Sequence, residues 1–163
     1  MFDKWILGNL LVLVTIHSEM KHHIHLTWLG DENFEITMPE GQKLLIQTGQ
    51  SVQWTSAGLR PKPLMLASLA GCTAIDVVML MKKMRIETRE FAIDVTGELT
   101  EQHPKYYHQV IIEYTFTGTN LHMEKLTRCV KLSEEKYCGV MHMFRQFAEL
   151  SIRIHIHNTE TQH

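Results

Sequence analysis

The sequence lacks a disulfide framework. Its three cysteines, Cys72, Cys129 and Cys138, are odd in number and widely spaced, and CxxC is absent. A chain of 163 residues can bury a core without staples. A reducing, cytoplasmic setting is therefore expected, in which any disulfide is transient. Charge is nearly balanced, at a formal −2, and the one short basic run, "KKMR" (82–85), reads as a helix end. That gives no electrostatic footprint for nucleic acid. No serine-nucleophile elbow, P-loop or dinucleotide fingerprint appears. The apolar run at 64–81 is interrupted near its centre by Asp76, which argues for a buried helix in a soluble protein over a membrane span.

What is present reads as α+β. "HIHLTWL" (23–29), "NFEITM" (33–38) and "KLLIQT" (43–48) are short β-type runs separated by the turn signals "GDEN" and "PEGQ", an antiparallel meander. After the loop "TSAGLRPKP" (55–63), a helix runs from Pro61 or Pro63 to about Met84. It is apolar all round, so it is expected to be central and covered on most sides. Ala67, Ala70, Gly71 and Ala74 form a stripe of small side chains that admits a close neighbour. Strands at 90–99 and 106–118 follow, linked by "EQHP". Asn120 then reads as the cap of a helix from Leu121 to Val130, and Ser133 as the cap of a second through "EEKYCGVMHMFRQFAEL". A strand closes the chain at 151–157. The sheet is expected to be mostly antiparallel, with helices on one side. One domain spans 21–163. The apolar segment "WILGNLLVLVTI" in 1–20 reads as an extension: a strand, an irregular stretch, or residues upstream of a start at Met20.

The chemistry-bearing residues cluster on two segments. Cys72 lies mid-way along the long helix and Cys138 in the early part of a later one. If those helices pack together, one thiol could attack and the other resolve; as buried fillers, both cysteines would need no chemistry. Cys129 reads as a filler or surface thiol. Asp76 is one turn from Cys72 and reads as orienting, since an ionised carboxylate would work against a reactive thiol. Methionines flank both cysteine segments. Met79, Met141 and nearby His142 are candidates for an apolar substrate pocket, with plain core as the competing reading. "HHIH" (22–25) and "HIH" (155–157) place imidazoles at i and i+2. Exposure is expected for them, and no metal site.

Two motifs carry a resemblance: "GLRPKPLMLASLAGCTAIDVVMLMKKMR" (58–85) and "KLSEEKYCGVMHMF" (131–144). Together they resemble the OsmC/Ohr family of osmotically inducible and organic-hydroperoxide-resistance proteins, nearest its YhfA-like branch. The resemblance implies an intertwined homodimer built around long central helices. It also implies an antioxidant, peroxiredoxin-like stress-response role. Cys72 would attack a small-molecule hydroperoxide and Cys138 would resolve the product as a disulfide. An external dithiol reductant would reset the pair without a cofactor. Active family members polarise the attacking thiol with an Arg from the N-terminal strands and a Glu after the helix-start proline. Here Lys62 follows Pro61, and no arginine precedes Arg60. Lys62, Arg60 and His142 are the candidate replacement cations. Two readings follow: a thiol peroxidase with altered activity, or a catalytically weak dimer that binds small apolar ligands.

Overall fold

The structure, a computed structural model, describes residues 21–47 and 58–159. The segment at 5–16 and residues 55–57 of the 55–63 loop lie outside them. The chain forms two compact units, Met1–Pro61 and Lys62–His163.

In the first unit, β1 (His25–Gly30), β2 (Asn33–Thr37) and β3 (Lys43–Gln47) make the expected antiparallel meander. The first turn places Gly30 at φ 105 and Asp31 at φ 48, conformations that favour these residue types. A side-chain bond from Gln47 to Asn33 (2.8 Å) and a Lys43–Glu35 ion pair (2.7 Å) hold the register. Leu59 extends the sheet by a parallel bridge to Ile46.

The second unit begins with α1 (Pro61–Lys83), apart from Pro61 itself. Its sheet has the order β4 (Glu90–Leu99), β5 (Tyr107–Gly118), β6 (Glu149–Asn158). β4 and β5 are an antiparallel hairpin, whereas β5 and β6 run parallel. Parallel neighbours need a crossover, and the helical segment between β5 and β6 supplies it. Val110, Ile112, Tyr114 and Phe116 alternate along β5 and are buried. They share one core with Leu69, Val77, Leu80 and Met81 of α1. Phe91 stacks on Phe116 with ring centroids 4.8 Å apart.

Gly97 on β4 marks a close approach. A Cβ there would stand 2.6 Å from the ring of buried Tyr107. Gly97→Ala is therefore expected to cost about 1–2 kcal/mol by overpacking, measured by urea unfolding.

Three expectations change. First, α2 spans Met123–Leu132 and starts after His122, not at Leu121. Asn120 is a left-handed turn residue at φ 55. The Leu121 N–H donates to Asn158 Oδ1 across the fold (2.8 Å). Second, Ser133 is not an N-cap but the C-cap of α2. The chain runs from α2 straight into a π-turn, Ser133–Tyr137, breaks at Cys138 (φ −76, ψ 96), and restarts as the short α3, Gly139–Phe144. A Cys138 N–H to Ser133 carbonyl bond (2.9 Å) closes the wide turn. Third, the described residues do not cover α1 on most sides. Leu69, Thr73, Val77, Leu80 and Met81 are buried, but Ile75 and Met79 are 64% and 63% exposed. By length and composition alone α1 would also suffice to cross a membrane.

Candidate thiol site

The π-turn is what delivers the second cysteine. It carries the chain out of α2 with Ser133 pointing inward and leaves Cys138 as the N-cap of α3. There the sulfur accepts the Met141 N–H at 3.3 Å. Arg145, just past α3, reaches back to Glu134, donating to its carbonyl (2.9 Å) and pairing with its carboxylate. That clasp fixes the two sides of the Cys138 break.

Cys72 and Asp76, one helical turn apart on α1, face this point. The sulfurs of Cys72 and Cys138 and a carboxylate oxygen of Asp76 all lie within 4.8 Å of one another. Cys138 is buried, while Cys72 and Asp76 are half-buried. All three cysteines are free thiols.

A chain of hydroxyls supports Asp76. Ser133 Oγ donates to Asp76 Oδ2 (3.1 Å). Thr73 Oγ1 is 2.9 Å from Ser133 Oγ and 2.7 Å from the Tyr114 hydroxyl. Each hydroxyl has one proton. With Ser133's given to Asp76, Thr73 must donate to Ser133 and Tyr114 to Thr73. The protons all point one way, from the β5 phenol to the α1 carboxylate. Thr73 and Ser133 are fully buried and, among the described residues, no buried side-chain polar atom lacks a partner.

Electrostatics set Cys138 apart. Burial, then its hydrogen bond with Cys72, pushes its thiol up to about 12; the Met141 N–H opposes this and the nearby Asp76 charge adds to it. Burial likewise raises the Tyr114 phenol to about 12, against the Thr73 bond. Ordinary values are 9.0 and 10.0. Above about pH 9 the unfolded chain therefore binds fewer protons than the folded one, so stability falls as pH rises. The contribution is whole below that point and lost progressively towards pH 12. Urea midpoints at about pH 8 and about pH 11 should differ in that direction, and Tyr114→Phe should reduce the difference.

The other candidate residues scatter. Met141 is fully buried in the core, and His142 is exposed on α3. Met79 lines a cleft of about 200 Å³ with Asp76, Leu80, Lys83 and Tyr137. Lys62 is exposed at the start of α1, and ten residues of continuous helix, about 15 Å, separate it from Cys72. Arg60 lies in the first unit. Cys129 is a buried filler whose thiol meets Met84 Sδ at 3.5 Å. His155 pairs with Glu113 on the outer face of the sheet (3.3 Å). Among the described residues, no group of three histidines converges.

Thr73, Tyr114 and Ser133 are site residues that sequence reasoning missed. The available signal was a lone threonine beside Cys72 in an apolar helix. Ser133 was masked by its likeness to a helix cap.

Comparison with known proteins agrees with this architecture. Residues 54–157 match the OsmC-like protein family. Protein YhfA of Escherichia coli K12 is 31% identical over 91 residues, which are 56% of this chain and 68% of that protein. A crystal structure of a hypothetical protein from Aquifex aeolicus VF5 superposes with a TM-score of 0.75 at 28% identity, covering 86% of this chain and 98% of that one. The organic hydroperoxide resistance protein OhrB of Bacillus subtilis shares the fold, with a TM-score of 0.62 at 17% identity over 82% of this chain and 97% of its own. The chain therefore belongs to the OsmC-like family, in its YhfA-like branch.

Proposed function

We propose that this protein is a thiol-dependent redox protein that reduces organic hydroperoxides through Cys72 and Cys138. The observation that carries the reading is the approach of their sulfurs within 4.8 Å, from segments far apart in sequence. Cys72 is the more accessible of the two and takes the attacking role; Cys138, 3% exposed, takes the resolving one. The Cys72 thiolate attacks the terminal peroxide oxygen. The O–O bond breaks, the alkoxide leaves and takes a proton as alcohol, and Cys72 becomes a sulfenic acid. The Cys138 thiolate then attacks Cys72 Sγ. An S–S bond forms, the S–O bond breaks, and hydroxide leaves as water after protonation. A dithiol reductant exchanges with the disulfide, is itself oxidised, and returns both thiols. The setting is the reducing cytoplasm.

The open face of α1 supports a homodimer. Ala67, Gly71, Ile75 and Met79 are exposed on it, and nothing lies within 4 Å of a Cβ built on Gly71. The Arg/Glu pair implied by the family resemblance has no counterpart at the corresponding positions, so the rate should be modest. Stopped-flow measurement of Cys72 oxidation by an alkyl hydroperoxide tests the reading. The expected rate exceeds that of a free thiol of matched pKa, and a rate no faster than that thiol defeats the peroxidase reading. The cleft beside Asp76 favours the second reading, a weakly catalytic dimer that holds small apolar ligands. A co-purifying apolar molecule with no peroxide consumption would support that instead.

A further inference from the structure

We propose that Cys72, Asp76 and Cys138 form a binding site for a thiophilic divalent cation, with zinc as the type case. The proposal goes beyond the peroxide chemistry and does not rest on it. Two sulfurs and a carboxylate oxygen converge within 4.8 Å of one another. Around a tetrahedral zinc, two sulfurs at about 2.3 Å from the metal lie about 3.7 Å apart. Small side-chain rotations would close the observed separations to that value. Two of the ligands come from one turn of α1, and the third is held at a fixed break in the chain by the π-turn.

The surroundings fit a ligand set. Ser133 donates to one Asp76 oxygen, which orients the carboxylate and leaves its other oxygen for the ion. Ser133 is itself anchored through Thr73 to Tyr114. The Met141 N–H is aimed at the Cys138 sulfur, a contact that suits a ligating thiolate. The two sulfurs select a borderline or soft cation over magnesium or calcium. Three protein ligands leave a fourth position for water or a small ligand. This also gives Asp76 a task. A carboxylate works against a reactive thiolate but completes a cation site.

Binding replaces each S–H bond with an S–metal bond and releases two protons to solvent. Nothing is oxidised or reduced. A bound ion and a Cys72–Cys138 disulfide are mutually exclusive, because both use the same sulfur electrons. The ion would therefore hold the pair reduced.

The test uses the full reduced chain without peroxide. Co²⁺ is titrated spectroscopically, and Zn²⁺ is titrated against a chromophoric chelator. One equivalent per chain is expected, with thiolate-to-cobalt charge-transfer absorption. Prior oxidation with diamide should abolish binding, and reduction should restore it. Asp76→Asn should weaken zinc by at least about tenfold and still form the disulfide with diamide; Ser133→Ala should weaken it by about tenfold. Cys129→Ser should change nothing. The proposal is overturned if the wild-type chain gives no thiolate–cobalt band, if a Cys72→Ser/Cys138→Ser double variant retains zinc undiminished, or if Asp76→Asn binds as tightly as wild type. The wild-type titration needs no variant to fold. Loss of peroxidase activity with intact cobalt binding would count against the peroxidase reading alone.

Discussion

A Cys72→Ser variant is expected to consume alkyl hydroperoxide no faster than the buffer background, whereas Cys138→Ser should react once and stop. The asymmetry follows from the site. Cys72 is half-buried and Cys138 is 3% exposed, so peroxide meets Cys72 first. Without Cys138 the Cys72 sulfenic acid has no neighbouring thiol, and Cys129 is occupied elsewhere in the core against Met84. The single-turnover product should be trapped by a dimedone-type reagent on Cys72, with one equivalent of peroxide consumed. The wild-type disulfide step should also depend steeply on pH. With the Cys138 thiol pushed up to about 12, its thiolate is scarce at neutrality. Its fraction grows about tenfold per pH unit well below that value. Disulfide closure, followed separately from Cys72 oxidation in chelator-treated protein, should accelerate by about a hundredfold between about pH 7 and about pH 9. Sulfenic acid accumulating on Cys138 in the Cys72→Ser variant would reverse the assignment.

The parts of this site that were legible in the sequence are those governed by local pattern. Alternation along β4 and β5 marked their inward faces, and the turn chemistry of "GDEN" and "PEGQ" marked the meander. Two cysteine motifs marked the two thiols. The parts that were not legible depend on long-range contacts. Ser133 followed by two glutamates has the composition of a helix start, yet α2 already occupies the backbone before it. Its hydroxyl is drawn inward by Thr73 and Asp76 from another element, a pull no local window contains. Asn120 was likewise misread as a cap: it takes a left-handed turn at φ 55, not the extended backbone of an N-cap. An all-apolar α1 suggested cover on most sides, but among the described residues Ile75 and Met79 stay exposed. Apolar composition records a tendency to be covered and does not say by what.

Thr73→Val is expected to destabilise the fold by about 2–4 kcal/mol, a large effect for a near-isosteric change. The substitution retains shape and removes one hydroxyl. That hydroxyl joins Tyr114 to Ser133 at 2.7 and 2.9 Å. Ser133 keeps its bond to Asp76 and loses one neighbour, costing about 1 kcal/mol. The Tyr114 hydroxyl loses its Thr73 partner in a fully buried position, and a stranded buried polar group costs about 1–3 kcal/mol more. Removing both partners avoids the second cost. Thr73→Val with Tyr114→Phe should therefore be more stable than Thr73→Val alone, a sign reversal that urea unfolding of the four proteins can read. Purely additive losses would show that the phenol finds another partner once Thr73 is gone. The thiol site should respond as well. With Ser133 tethered only to Asp76, the orientation of the carboxylate beside Cys72 loosens, although neither variant touches a sulfur.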